Sequence, residues 1–144
     1  MKISEVLDKI GNMPYLAISG DCTLNEATEK ITGMRQTRSI YVTDKQGRLQ
    51  GTLSLGVLIR EVIAVRHKPQ FGVRSLLTRI TSEDVADIMD KHVIYAQKDD
   101  DLDKILKQMI YYNIKEIPVV DEDQQIIANI GILDLWRLVE RLPE

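Results

Sequence analysis

Ile40-Tyr41-Val42-Thr43-Asp44 and Ile117-Pro118-Val119-Val120-Asp121 are one strand and its turn written twice. A shift of 77 residues superimposes them, and the agreement spreads outward. Toward the C-terminus, Leu49 meets Ile126, Leu53 meets Ile130 and Leu55 meets Ile132. Leu58, Arg60 and Val62 then meet Leu135, Arg137 and Val139. Toward the N-terminus the shift becomes 78, so the first copy carries one extra residue. There Ser4-Glu5 falls on Ser82-Glu83, Ile10 on Ile88, Leu16 on Ile94, Asp21 on Asp99 and Leu24 on Leu102. Chance apolar coincidence would not also align Ser-Glu, Asp and Arg in order, so the chain is a tandem repeat.

Each copy reads as the same unit. A short amphipathic stretch comes first, near 3–10 and 82–89, then a short strand near 15–19 and 93–97. Helical apolar spacing follows over 23–35 (Leu24, Ala27, Ile31, Met34) and 100–113 (Leu102, Ile105, Leu106, Met109, Ile110). Thr23 and the Asp99–Asp101 run stand where a helix start takes a cap and negative charge. Two β-rich runs come next, 39–43 with 48–54 and 116–120 with 125–131. Each pair is joined by a polar hairpin turn, Asp44-Lys45-Gln46-Gly47 or Asp121-Glu122-Asp123-Gln124. A second helix closes each copy, with stripes Leu55, Leu58, Ile59, Val62, Ile63 and Ile132, Leu135, Trp136, Val139, Leu142. This predicts an α/β (α+β) fold of tandem β-α-β-β-α repeats packed with pseudo-twofold symmetry. The first repeat takes residues 1–66 with its N-terminal helix, a connector with Pro69 and Gly72 takes 67–80, and the second repeat takes 81–144.

The bulk properties exclude several classes. The 144 residues carry a formal charge of −3 with acids and bases interspersed, so there is no footprint for nucleic acid or an anionic membrane. No apolar run approaches the ~20 residues that cross a bilayer. Met1-Lys2-Ile3-Ser4-Glu5 lacks the apolar core of a signal peptide. The single cysteine, Cys22, forms no internal disulfide, which fits a reducing compartment and so the cytoplasm.

With the repeat in hand, the sequence resembles a CBS-domain pair, or Bateman module, named for the regulatory domain of cystathionine β-synthase. The resemblance is carried by Val85-Ala86-Asp87-Ile88-Met89 before Val93-Ile94-Tyr95-Ala96, then Ile117 to Asp123, then Ile130-Gly131-Ile132-Leu133-Asp134-Leu135. Arg38 to Asp44 and Gly51-Thr52-Leu53-Ser54 carry it in the first copy. It implies a non-catalytic, regulatory module whose cleft binds AMP, ADP, ATP or S-adenosylmethionine. It also implies a homodimer of the pair and a partner protein that receives the signal.

The family's ligand motif is Gly, two apolar residues, Thr or Ser, two variable residues, then Asp. A carboxylate there can accept hydrogen bonds from both ribose hydroxyls. The hydroxyl residue precedes a helix whose N-terminal amides suit a phosphate. This chain splits the motif. Copy one keeps the hydroxyl as Ser54 but has Val57 for the Asp. Copy two keeps Asp134 but has Gly131 for the hydroxyl. The candidate ligand residues are therefore Asp134, Gly131 and Ser54, with Pro118 from the strand that carries the resemblance. Each has a plainer reading: Asp134 as helix-start charge, Ser54 as a helix cap. The split also motivates an alternative function, a structural dimerisation or partner-docking module with degenerate sites.

Other reactive residues are sparse. His67, His92 and Cys22 have no metal-ligand spacing. Asp99-Asp100-Asp101 with Asp103 lacks the spaced ligands and glycine of a calcium loop. Tyr111, Tyr112 and Trp136 read first as core and second as interface.

Overall fold

The structure, a computed structural model, describes residues 1–33, 40–66 and 84–140. The expected connector 67–80, His67, Met34 and Leu142 lie outside the described residues. The elements run α1 (Ile3–Ile10), β1 (Leu16–Ser19), α2 (Leu24–Thr32), β2 (Ile40–Thr43), β3 (Leu49–Leu53) and α3 (Leu55–Arg66). They continue as α4 (Val85–Ile88), α5 (Leu102–Tyr111), β4 (Glu116–Val120), β5 (Ile126–Gly131) and α6 (Ile132–Glu140). This is the expected mixed α/β repeat.

Two compact units form, and they do not follow sequence order. A continuous unit spans Tyr15–Val93, and a split unit joins Met1–Pro14 to Ile94–Glu144. The N-terminal helix, assigned by sequence order to the first repeat, packs in the split unit. Its Ile3 and Val6 are fully buried with Leu102, Ile105, Met109, Ile117 and Leu135. The exchange is reciprocal, because Val85 of α4 joins Ile18, Leu24, Val42, Leu53 and Leu58 in the core of the continuous unit. Amphipathic spacing reveals that a helix must bury a face but not which sheet receives it.

The continuous unit has the sheet order β1-β2-β3, with β1 parallel and β3 antiparallel to β2. Among the described residues, the split unit has only β4 and β5 as paired strands. The strand expected over 93–97 shrinks to a single parallel bridge, Ala96 to Val119. Its two bonds are Ala96 N–H to Pro118 O and Val120 N–H to Ala96 O, both 2.9 Å. The next bond toward the N-terminus would need a donor on Pro118, and proline has none. Tyr41, the matching residue in copy one, has that N–H, and β1 there pairs over four residues.

Local chemistry fixes the ends of the elements. Thr23 caps α2 by accepting from Glu26 N–H at 3.1 Å. Asp44 Oδ1 accepts from the backbone N–H of Gln46 and Arg48, and Asp121 Oδ1 does the same for Asp123 and Gln125. The Arg48 backbone N–H, with the Arg48 guanidinium on Oδ2 at 2.8 Å, holds the Asp44 carboxyl below the usual carboxylate range. The hairpin turns then need a left-handed residue. Copy one supplies Gly47 at φ 82° and copy two supplies Gln124 at φ 64°. A side chain pays a steric penalty in that region.

Two measurements follow from these contacts. Gln124→Gly is expected to raise unfolding free energy by about 0.5–1 kcal/mol, read by urea denaturation, as strain relief outweighs the added chain entropy. Ile3→Ala is expected to cost about 2–5 kcal/mol, because it opens a cavity in the split unit's core. A near-neutral Ile3→Ala would mean that α1 is not part of that core.

Candidate functional site

The split motif is best followed outward from the exposed edge of each sheet. β3 and β5 are both edge strands, and unpaired backbone on an edge needs a partner. In the continuous unit Asp90 supplies it: Thr52 N–H donates to Asp90 O at 3.0 Å and Asp90 N–H donates to Thr52 O at 2.8 Å. Gly51 allows the approach, since a Cβ there would lie 2.6 Å from Met89 Sδ and 2.8 Å from Asp90 O. In the split unit the residues after α1 take the same role. Met13 N–H donates to Asn129 O at 2.9 Å, and Asn129 N–H donates to Asn12 Oδ1 at 2.8 Å. Asn12 and Asp90 correspond by the 78-residue shift, and Asn129 and Thr52 by the 77-residue shift.

The sequence-derived residues fall around these edges. Ser54 is exposed, and its Oγ accepts from Val57 N–H at 3.1 Å, so it caps α3. Gly131 ends β5 and is buried, with Met13 packed against it. Asp134 lies in the first turn of α6 with its side chain 40% exposed, and its Oδ1 is 3.9 Å from Arg137 Nη1. Pro118 is buried in β4 opposite Asn129. Gly131 and Asp134 are thus together: a Cβ on Gly131 would be 3.7 Å from Asp134 Oδ2. Met13, Asn12 and Asn129 were not singled out in the sequence. Their one signal was that 12 and 90 are both polar at matching repeat positions.

Each unit also carries a groove at the opposite end of its edge strand from the motif. One, of about 440 Å³, is lined by Ser4, Asp8, Gly11, Asn12, Lys98 and Ile127 among others. The other, of about 220 Å³, is lined by Gly20, Asp21, Asp44, Gln50, Ala86 and Met89 among others. Asp8 matches Ala86, Gly11 matches Met89, Lys98 matches Gly20, and Ile127 matches Gln50, so the two grooves are one feature of the repeat.

The remaining reactive residues have structural settings. Asp100 Oδ2 accepts from Gln97 N–H at 2.8 Å, Lys2 Nζ donates to Asp99 O at 3.0 Å, and the N-terminal ammonium lies 3.4 Å from Asp101 Oδ1. That acidic run therefore fastens the start of the chain. No group of three or more potential metal ligands occurs among the described residues. Cys22 is buried with Lys30 Nζ 3.6 Å from its sulfur. His92 is exposed. Tyr111 (81% exposed), Tyr112 and Trp136 (55% exposed) lie outside the core, which overturns the core reading of the aromatics. Among the described residues, no helix is long and apolar enough to cross a membrane.

The family model for the CBS domain matches residues 3–64 and 85–144, once over each repeat. The chain belongs to the CBS-domain family. As a CBS pair it is similar to the magnesium transporter MgtE of Thermus thermophilus, at 30% identity over 101 residues. That match takes in 70% of this chain and 18% of the transporter, so the chain spans less than a fifth of that relative. A CBS domain-containing protein from Thermotoga maritima superposes with a TM-score of 0.70 at 26% identity, covering 100% of this chain and 97% of that one. The cytosolic domain of the Mg2+ channel MgtE, solved in complex with ATP, superposes at 0.65 and 26% identity, covering 89% and 47%.

The setting of Ser54 gives an expected outcome. Ser54→Ala removes the cap of α3 and is expected to cost about 1 kcal/mol of stability in denaturant unfolding. A change in ligand affinity without a change in stability would instead assign Ser54 to binding.

Proposed function

We propose that this CBS pair is a non-catalytic regulatory module that senses an adenosine-containing ligand beside Asp134 and passes its occupancy to a partner protein. The observation that carries the reading is Asp134 itself. Its carboxylate is partly exposed at the start of a helix, held only loosely by Arg137 at 3.9 Å, and is free to accept from a ribose. Neighbouring Gly131 brings no side chain of its own, and Met13 packs against it. Support comes from the similar MgtE cytosolic domain, which was solved with ATP. The first repeat has Val57 in place of the acid, which favours the second repeat over the first. A cytoplasmic setting belongs to this reading, consistent with the buried thiol of Cys22.

Calorimetric titration with AMP, ATP and S-adenosylmethionine tests it. At least one is expected to bind, and Asp134→Ala is expected to weaken that ligand about tenfold or more, the scale of a lost charge-assisted hydrogen bond. Absence of binding by all three at millimolar concentration would sink the proposal.

A homodimer is the second part of the reading, favoured by exposed apolar residues on the closing helices. Trp136 and Leu133 (62% exposed) lie three apart on α6, while Leu55 and Ile59 stand out on α3. Ile59 and Trp136 are repeat equivalents. Exposed large apolar residues grouped in this way mark interaction surfaces, and tryptophan is a frequent anchor in them. Sedimentation at micromolar concentration is expected to show a dimer that Trp136→Glu dissociates. A wild-type monomer would refute it.

A further inference from the structure

Gly131 stands where the ligand motif has Thr or Ser, and the space a side chain would take there is already filled. A Cβ on Gly131 would lie 2.9 Å from Met13 Sδ and 3.6 Å from Met13 Cε. Met13 is held in place through its backbone, by the 2.9 Å bond to Asn129 O. The repeat equivalent of Gly131 is Ser54, an exposed hydroxyl. The second repeat has thus exchanged a hydroxyl on the strand end for a thioether brought in from the segment after α1.

We infer that Met13 is the specificity-determining residue of the Asp134 site, turning it from 5′-phosphorylated nucleosides toward adenosines that carry a 5′-thioether or sulfonium group. The inference rests on the reading of Asp134 as the ribose anchor. A Cβ on Gly131, the carbon that would carry the motif's hydroxyl, would have Met13 Sδ at 2.9 Å and Asp134 Oδ2 at 3.7 Å. A phosphate beside Gly131 would find, where the motif has a hydroxyl, a sulfur with no hydrogen to donate, and near it a carboxylate of its own sign. A charged oxygen that loses one of its donors is more costly to desolvate. A methylthio group meets a soft, polarizable neighbour instead. A sulfonium keeps that contact and is attracted by the carboxylate.

The test is calorimetry on the full chain with 5′-methylthioadenosine, S-adenosylmethionine and AMP, for wild type, Met13→Ala, and Met13→Ala combined with Gly131→Ser. Thermal melts confirm folding, and the single variant carries the test if the double one does not fold. Wild type is expected to bind both thio ligands about tenfold or more tightly than AMP. Met13→Ala is expected to narrow that gap, and the double variant to close or invert it by restoring the hydroxyl. The two thio ligands separate an apolar preference from a charge-driven one. AMP binding as tightly as 5′-methylthioadenosine to wild type, or an unchanged ratio in Met13→Ala, would overturn the inference while leaving Asp134 as the anchor. Absence of binding by all three would remove the Asp134 reading and this one with it.

Discussion

The leading segment of the chain is fastened backbone to backbone at both of its ends. At the start, Leu102 N–H donates to Met1 O and Ile3 N–H donates to Asp100 O, both at 2.9 Å. At the end, Met13 N–H donates to Asn129 O. Between these clamps α1 delivers Ile3 and Val6 to the core of the split unit. Without the segment, β5 would present an open edge and α6 would lose a packed neighbour. The candidate site beside Asp134 depends on the same clamp, because the bond that closes the β5 edge is the one that positions Met13.

The two repeats use one plan with different local solutions. Asp90 closes the first edge with a pair of backbone bonds, whereas Asn12 closes the second with a side-chain oxygen that replaces one of them. Pro118 cuts the second parallel ladder to one bridge, where Tyr41 lets the first run to four residues. The shorter sheet is compensated from outside the repeat: α1 contributes two turns of helix to the split unit, while α4 is a single turn. The unit with fewer paired strands therefore receives the longer helix, and both end with a filled apolar core.

The sequence made some of this legible and hid the rest for physical reasons. Hairpins, helices and the Thr23 cap depend on neighbours a few residues away, and periodicity or a single side chain exposes them. The exchange of α1 and α4 depends on which of two equally apolar sheets receives a helix, and no local pattern encodes that choice. The loss of the strand at 93–97 was in principle readable. A proline in the middle of Ile117-Pro118-Val119 announces a missing donor, but only once it is known which neighbour that donor would have faced. Ile110 shows the limit of periodicity from the other side. It falls on the apolar spacing of α5 yet is 67% exposed, while Met109 beside it is fully buried.

The divided motif is where fold and function part. Ser54 has a structural duty, capping α3, that stands whether or not a ligand is bound. Its presence therefore says little about binding. Asp134 is different: α6 begins directly from Gly131, so Asp134 has no neighbouring cap to complete. What the fold gains from it is a helix-dipole interaction and a long contact to Arg137, together on the order of 1 kcal/mol for exposed groups. A carboxylate that contributes so little to the fold, set beside a glycine and a fixed thioether, has chemistry left over. The second repeat is where this chain carries a carboxylate that its fold does not require.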